Sequence, residues 1–165
     1  MKNFILSFLL IISLITPTVA VIKAIEFTQQ CKGYLKQAAD ANTVELALDR
    51  ITKALNYIEE NNLTTGYTSV LYKTENENVE FWYNNIKACK HELENAKNST
   101  SLEKTNLLMK VRETLTDNEN GETSVTIPPG ISRYPNNGIF TIFGWLSAII
   151  TIVISLFYYC EWQND

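Results

Sequence analysis

Apolar positions recur at helical spacing through the middle of the chain. Val44, Leu48, Ile51, Leu55 and Ile58 follow one another at alternating steps of four and three residues, which places them on one helix face. Val79, Trp82, Ile86, Cys89, Leu93 and Ala96 repeat the pattern. A shorter stripe of Phe27, Cys31, Leu35 and Ala38 precedes them, and Leu108, Val111 and Leu115 follow. Asn42 with Glu45, and Thr100 with Glu103, have the spacing of capping boxes. Asp40-Ala41-Asn42 and Asn98-Ser99 supply the breaks between stripes. The pattern predicts helices at 26–39, 43–61, 77–97 and 101–116. Short connections after the first and third make antiparallel neighbours.

Two stretches depart from this spacing. Gly66-Tyr67-Thr68-Ser69-Val70-Leu71-Tyr72 is rich in β-forming residues. It reads as a short strand, or as an ordered loop that packs Val70 and the tyrosines on the helices. Glu122–Ile127 has similar composition and is a pairing partner for it. Residues 117–138 form an acidic and Pro-rich linker: Asp117–Glu122 is turn-forming, and Pro128-Pro129 imposes an extended backbone. This segment is expected to be a stiff spacer that holds the helices off a membrane.

The two ends are continuous apolar runs. Ile139–Tyr159 carries no charge over its whole length, and at 1.5 Å per residue it reaches about the 30 Å of a hydrocarbon core. Rings gather at its margins, with Tyr134 and Phe140 before and Phe157, Tyr158, Tyr159 and Trp162 after, as in an aromatic belt. Gly144 and Ala148 make a small-xxx-small pair suited to close helix–helix contact in a membrane. Residues 160–165 are a short tail. At the N-terminus, Lys2 precedes the apolar run Phe4–Ile15, and Thr16-Pro17-Thr18-Val19-Ala20 follows. That order reads as a signal peptide over 1–20, cleaved after Ala20. The alternative is an uncleaved anchor extending to Ile25, with Lys23 at the interface. Pro17 favours the signal, since an anchor would carry a proline in mid-membrane. The first apolar segment dominates topology and puts the helical domain on the non-cytoplasmic side of the membrane.

The expected fold is therefore mainly α. It is a small four-helix bundle-like domain with a C-terminal transmembrane helix and an N-terminal signal or anchor helix.

Composition sharpens this picture. The 165 residues average a mean hydropathy of −0.08, a value typical of soluble chains, because polar middle and apolar ends cancel. A net charge of −4 argues against a nucleic-acid binder, and three cysteines are too few for a disulfide-dense scaffold. His91 is the only histidine, which excludes multi-histidine metal sites. G-x-S-x-G, P-loop and G-x-G-x-x-G motifs are all missing from the chain. No catalytic residue, metal ligand, cofactor or small-molecule substrate is assigned, and the chain is read as non-enzymatic. Cys31 and Cys89 lie on the apolar stripes of the first and third helices. In an oxidising compartment they form a disulfide, and otherwise they are buried thiols. Tyr67, Tyr72, Phe81 and Tyr83 gather rings off the main stripe and are the candidate surface for a protein partner.

Asn61–Tyr72, Phe81-Trp82-Tyr83 and Pro128–Gly138 together resemble a family of small, uncharacterised cyanobacterial membrane proteins. The resemblance carries no activity with it. It implies a plasma or photosynthetic membrane location. The function expected is a membrane-anchored helical module for protein–protein contacts at a membrane surface. The alternative is an accessory subunit of a membrane complex acting through its transmembrane helix. Lipid and an unidentified protein are the partners, and nucleic acid is not.

Overall fold

One helix runs unbroken from the N-terminal apolar segment into the polar domain. The computed structural model describes residues 2–96, 99–119 and 121–164, without the side chains of 2–6, 9, 10, 12, 119, 160–162 and 164. Helix α1 (Lys2–Phe27) passes through Pro17 and leads into a π-helical turn, Thr28–Lys32, and then α2 (Gly33–Ala39). At the turn the Gly33 N–H reaches Thr28 O, five residues back. A Cβ on Gly33 would sit 3.1 Å from that same oxygen, so the wide turn closes most easily over glycine. The predicted boundary near residue 26 is thus absent, because Phe27, Cys31, Leu35 and Ala38 continue α1 on one buried face.

Three further helices complete the domain: α3 (Val44–Glu60), α4 (Val79–Asn95) and α5 (Ser101–Leu115). Lys97, at the predicted end of the third helix, lies outside the described residues. Thr43, one residue later than expected, caps α3 by accepting from Leu46 N at 3.2 Å. Asn78 caps α4 through Phe81 N at 3.0 Å. Thr100 and Glu103 form the reciprocal capping box of α5. Helix α3 ends where Asn62 adopts a left-handed conformation, letting Leu63 N reach Ile58 O at 2.8 Å.

Helix α2 packs on α3 and α5, and α4 packs on the same two. Leu35, Ile51, Ile58, Ile86, Leu93 and Val111 fill the space between them. Along α3 the buried edge runs through Ala47 and Ala54 as well as the apolar stripe, while Leu48 is only partly covered. The small residues let α3 sit close to its neighbours. Two charged contacts fix α5: Lys110 Nζ meets Glu92 at 2.7 Å, and Arg112 Nε donates to Ala39 O at 3.0 Å.

Residues 117–138 are not a free spacer. Strands β1 (Thr116–Glu119) and β2 (Glu122–Val125) form an antiparallel hairpin, with Thr116 opposite Val125 and Asp117 opposite Ser124. The Glu122 segment pairs with its own neighbour rather than with Gly66–Tyr72. Val125 and Ile131 then enter the core, which draws the proline segment onto the helices. Burying Val125 and Ile131 draws the segment inward, and between them Pro128 is itself buried while Pro129 stays exposed. The chain turns at a cis Tyr134–Pro135 bond into α6 (Asn137–Asn164). Over Asn137–Tyr159, α6 is long and apolar enough to cross a membrane.

Candidate functional site

The two apolar helices pack against each other. Their shared seam carries hydroxyls. Ser13 is buried, Thr16 and Ala20 continue its face at helical spacing, and Ser147, Thr151 and the buried Ile154 answer from α6. The hydroxyls of Ser13 and Thr151 lie 3.3 Å apart, and the Ser147 hydroxyl donates to Ser13 O. This last contact has a covalent cause. Pro17 has no N–H, so the carbonyl four residues earlier, that of Ser13, loses its helical donor. Ser147 fills the position. Away from the seam the pair presents mostly apolar groups, among them Ile11, Leu14, Val21 and Ile25 on α1, and Ile142, Phe143, Trp145, Ile149 and Ile152 on α6, with Ser7, Thr18, Thr141 and Ser155 as exposed hydroxyls. A Cβ on Gly144 would meet nothing within 4 Å, and Ala148 is exposed. The expected small pair is therefore not where α1 packs, and the contact row of α6 runs Ser147, Thr151, Ile154.

At the start of α6 a loop from the helical domain is tied down. Tyr134 Oη donates to Thr65 O at 2.6 Å, and Asn137 Nδ2 donates to Thr68 O. Gly66 has φ of 95°, a left-handed conformation that suits glycine, and a Cβ there would collide with the Tyr134 hydroxyl. The isolated bridge between Tyr67 and Asn78 closes the base of the loop, with Thr68 N on Glu77 O at 3.0 Å. Beyond that base the tip is open. Val70, Leu71 and Tyr72 are 48%, 85% and 80% exposed, so the expected packing of Val70 onto the helices does not occur.

The four rings proposed as a partner surface are dispersed. Tyr72 is at the loop tip. Tyr67 is half-buried, with the Lys73 ammonium 5.2 Å from its ring centre. Tyr83 leans on the core and donates to Glu59 at 2.8 Å, and holding that proton against a carboxylate raises the phenol's pKa. Phe81 alone of the four lines a cleft of about 530 Å³. The other walls are Trp82, Asn85, Val125, Pro128 and Pro129, with Lys32 and Asp117 supplying opposite charges. Trp82 is buried and donates from Nε1 to Thr126 O at 3.0 Å, pinning the proline segment that forms one wall. Phe81 is 63% exposed. Residues 79–83 separate these rings because successive helix positions turn by about 100°.

Cys31 and Cys89 are free, buried thiols and not a disulfide. Cys31 sits on the π-helical turn, which packs on α3, whereas Cys89 faces α5 and interacts with the Thr114 hydroxyl. The two sulfurs look toward different neighbours. Burial pushes the Cys31 thiol well above the ordinary range and raises Cys89 as well, with the Thr114 contact partly offsetting this at Cys89. His91 is exposed and pairs with Asn95 at 3.1 Å. Among the described residues, no three His, Cys, Asp or Glu side chains converge as they would around a metal ion.

Comparison with known proteins finds no matching family model, no similar curated protein and no similar solved structure. The features that stand out are thus physical ones: a polar seam inside an apolar helix pair, an apolar loop tip beside it, and a ring-and-proline cleft on the domain. The seam escaped the sequence reading because Ser13 looked like an interruption of a signal sequence. Its trace was present, however, in Ser147 and Thr151, four residues apart within an uncharged run.

Proposed function

We propose that this chain is a two-span membrane protein that holds a small four-helix-bundle domain at the membrane surface for contacts with another protein. The N-terminal helix is a retained anchor and not a cleaved signal. The observation that carries this reading is the α1–α6 contact, with Ser13, Ser147 and Thr151 turned inward and a mostly apolar outer face. Cleavage after Ala20 would remove Ser13 and with it the carbonyl that accepts from the Ser147 hydroxyl.

Both termini then lie across the bilayer from the bundle. Lys2 stays in the cytoplasm with the first apolar segment, and the bundle lies outside, at a plasma or photosynthetic membrane as the resemblance to cyanobacterial membrane proteins implies. The bundle makes its contacts without catalysis. Its docking surface is the cleft walled by Phe81, Pro128 and Pro129, where an exposed ring stands over a rigid proline edge. An apolar residue flanked by polar groups from a partner fits such a surface.

The accessory-subunit reading, in which α6 acts by binding other spans, is weaker for one reason. The side of α6 that carries Ser147 and Thr151 is already occupied by α1. Purification in mild detergent separates the two. Phe81→Glu should release the co-purifying partner, and Trp145→Ala on the outer face of α6 should not. The opposite result would favour the accessory role. N-terminal sequencing of the purified protein should begin at or next to Met1; a start at Val21 would remove the two-span reading.

A further inference from the structure

We infer that the tip of the Thr68–Glu77 loop, Val70-Leu71-Tyr72, is a membrane-interface anchor that inserts among lipid headgroups beside α6. The inference rests on the proposed membrane reading and extends it from the spans to the domain. Three observations place the tip. The loop is fastened to the first residue of α6 by the Asn137 side chain on Thr68 O, and to the preceding turn by Tyr134 on Thr65 O. Val70 Cγ1 comes within 3.9 Å of where a Gly138 Cβ would stand, so the tip abuts the first turn of the span. The apolar band of α6 begins at once, with Ile139 and Ile142 exposed. The loop tip and that band therefore form one continuous apolar surface.

The chemistry of the tip suits the interface. Leu71 and Tyr72 are among the most exposed apolar side chains of the domain, far beyond what scattered surface residues need. Tyrosine prefers the headgroup level, where its ring is sheltered and its hydroxyl is wet. Lys73 follows directly and holds its ammonium over the Tyr67 ring, which puts a positive charge beside the tip, where lipid phosphates would lie. The bridge between Tyr67 and Asn78 holds the base, so that insertion costs little new ordering of the chain. A single source is committed to: phospholipid at the headgroup–acyl boundary.

Site-specific photo-crosslinking tests the inference on the full chain in phosphatidylglycerol–phosphatidylcholine nanodiscs. A benzophenone amino acid replaces Leu71, Ile149 or Leu102 in separate samples, and phospholipid adducts are read by mass spectrometry. Ile149 is on the outer face of α6, and Leu102 is exposed on α5. Adducts are expected at positions 71 and 149, with loss of the signal at 102. An adduct at 149 with none at 71 overturns the inference and leaves the membrane reading standing. Crosslinking of position 71 to a second copy of the chain, without lipid, also overturns it, by making the tip a protein contact. No lipid adduct at either 71 or 149 removes the membrane reading itself.

Discussion

The hydroxyl of Ser147 on α6 donates to the backbone carbonyl of Ser13 on α1, the one carbonyl that Pro17 deprives of its helical partner. A proline that would otherwise weaken a membrane helix is thus matched by a serine from its neighbour. Ser147→Ala is expected to weaken the pairing by about 0.6 kcal/mol, with about 1.7 kcal/mol as the upper end for such bonds. Pro17→Ala restores the internal donor, so in that background Ser147→Ala should cost less. Thermal unfolding of the single and double variants in detergent gives the coupling. Equal costs in both backgrounds would show that the two residues act independently.

Gly66→Ala should destabilise the domain by more than the roughly 1 kcal/mol of its left-handed backbone alone. The added methyl would displace the Tyr134 hydroxyl and break its bond to Thr65 O. In a Tyr134→Phe background the closest clash is gone, so the additional cost of Gly66→Ala should shrink. Denaturant midpoints of the four proteins measure this, and an unchanged cost would mean that the ring does not define the loop.

Trp82→Phe keeps a ring in the core but loses the donor to Thr126 O. The net cost of the hydrogen bond is about 1 kcal/mol, with a further loss from the smaller ring. Because that bond holds the proline segment, limited proteolysis around residues 120–130 should accelerate in the variant. A cleavage rate equal to the parent's would indicate that Val125 and Ile131 suffice to hold it.

Stability should fall at alkaline pH. Cys31 and Cys89 are buried as neutral thiols, with pKa values raised above those of the unfolded chain. Their contribution is complete below the unfolded thiol value of about 8.5. Above it the unfolded chain releases protons that the folded chain retains, and stability declines. Tyr57, raised chiefly by burial, acts in the same sense at higher pH. The urea midpoint should therefore drop between about pH 8 and pH 10, and Cys31→Ala should flatten the slope. Thiol reagents should label both cysteines only on unfolding, whereas labelling of the folded protein would contradict their burial.

Helical spacing made much of the domain legible. Every position of the stripes through Val79, Trp82, Ile86, Cys89, Leu93 and Ala96 is buried, because alternating steps of three and four admit one face only. Contacts between segments distant in sequence were not legible. The proline segment looked like a spacer because Pro128-Pro129 dominates its local preferences, yet Val125 and Ile131 are recruited by a core assembled elsewhere. Ser13 and Pro17 fitted a signal sequence locally, and only their meeting with Ser147 gives them a structural purpose. The disulfide reading rested on Cys31 and Cys89 lying on the apolar stripes of the first and third helices. Spacing along each helix does not say which neighbour a buried face meets, and here Cys31 packs toward α3 and Cys89 toward α5.

The π-helical turn at Thr28–Lys32 keeps α1 and α2 in one rod from Lys2 to Ala39, roughly 57 Å at 1.5 Å per residue. A flexible tether would let the bundle swivel independently of its anchor. A rod does not. Helices tilt to fit the thickness of the bilayer that holds them, and in the proposed two-span arrangement that tilt would pass as a lever directly into α2, on which α3 and α5 are packed. Thicker or thinner membranes should accordingly make the whole bundle lean.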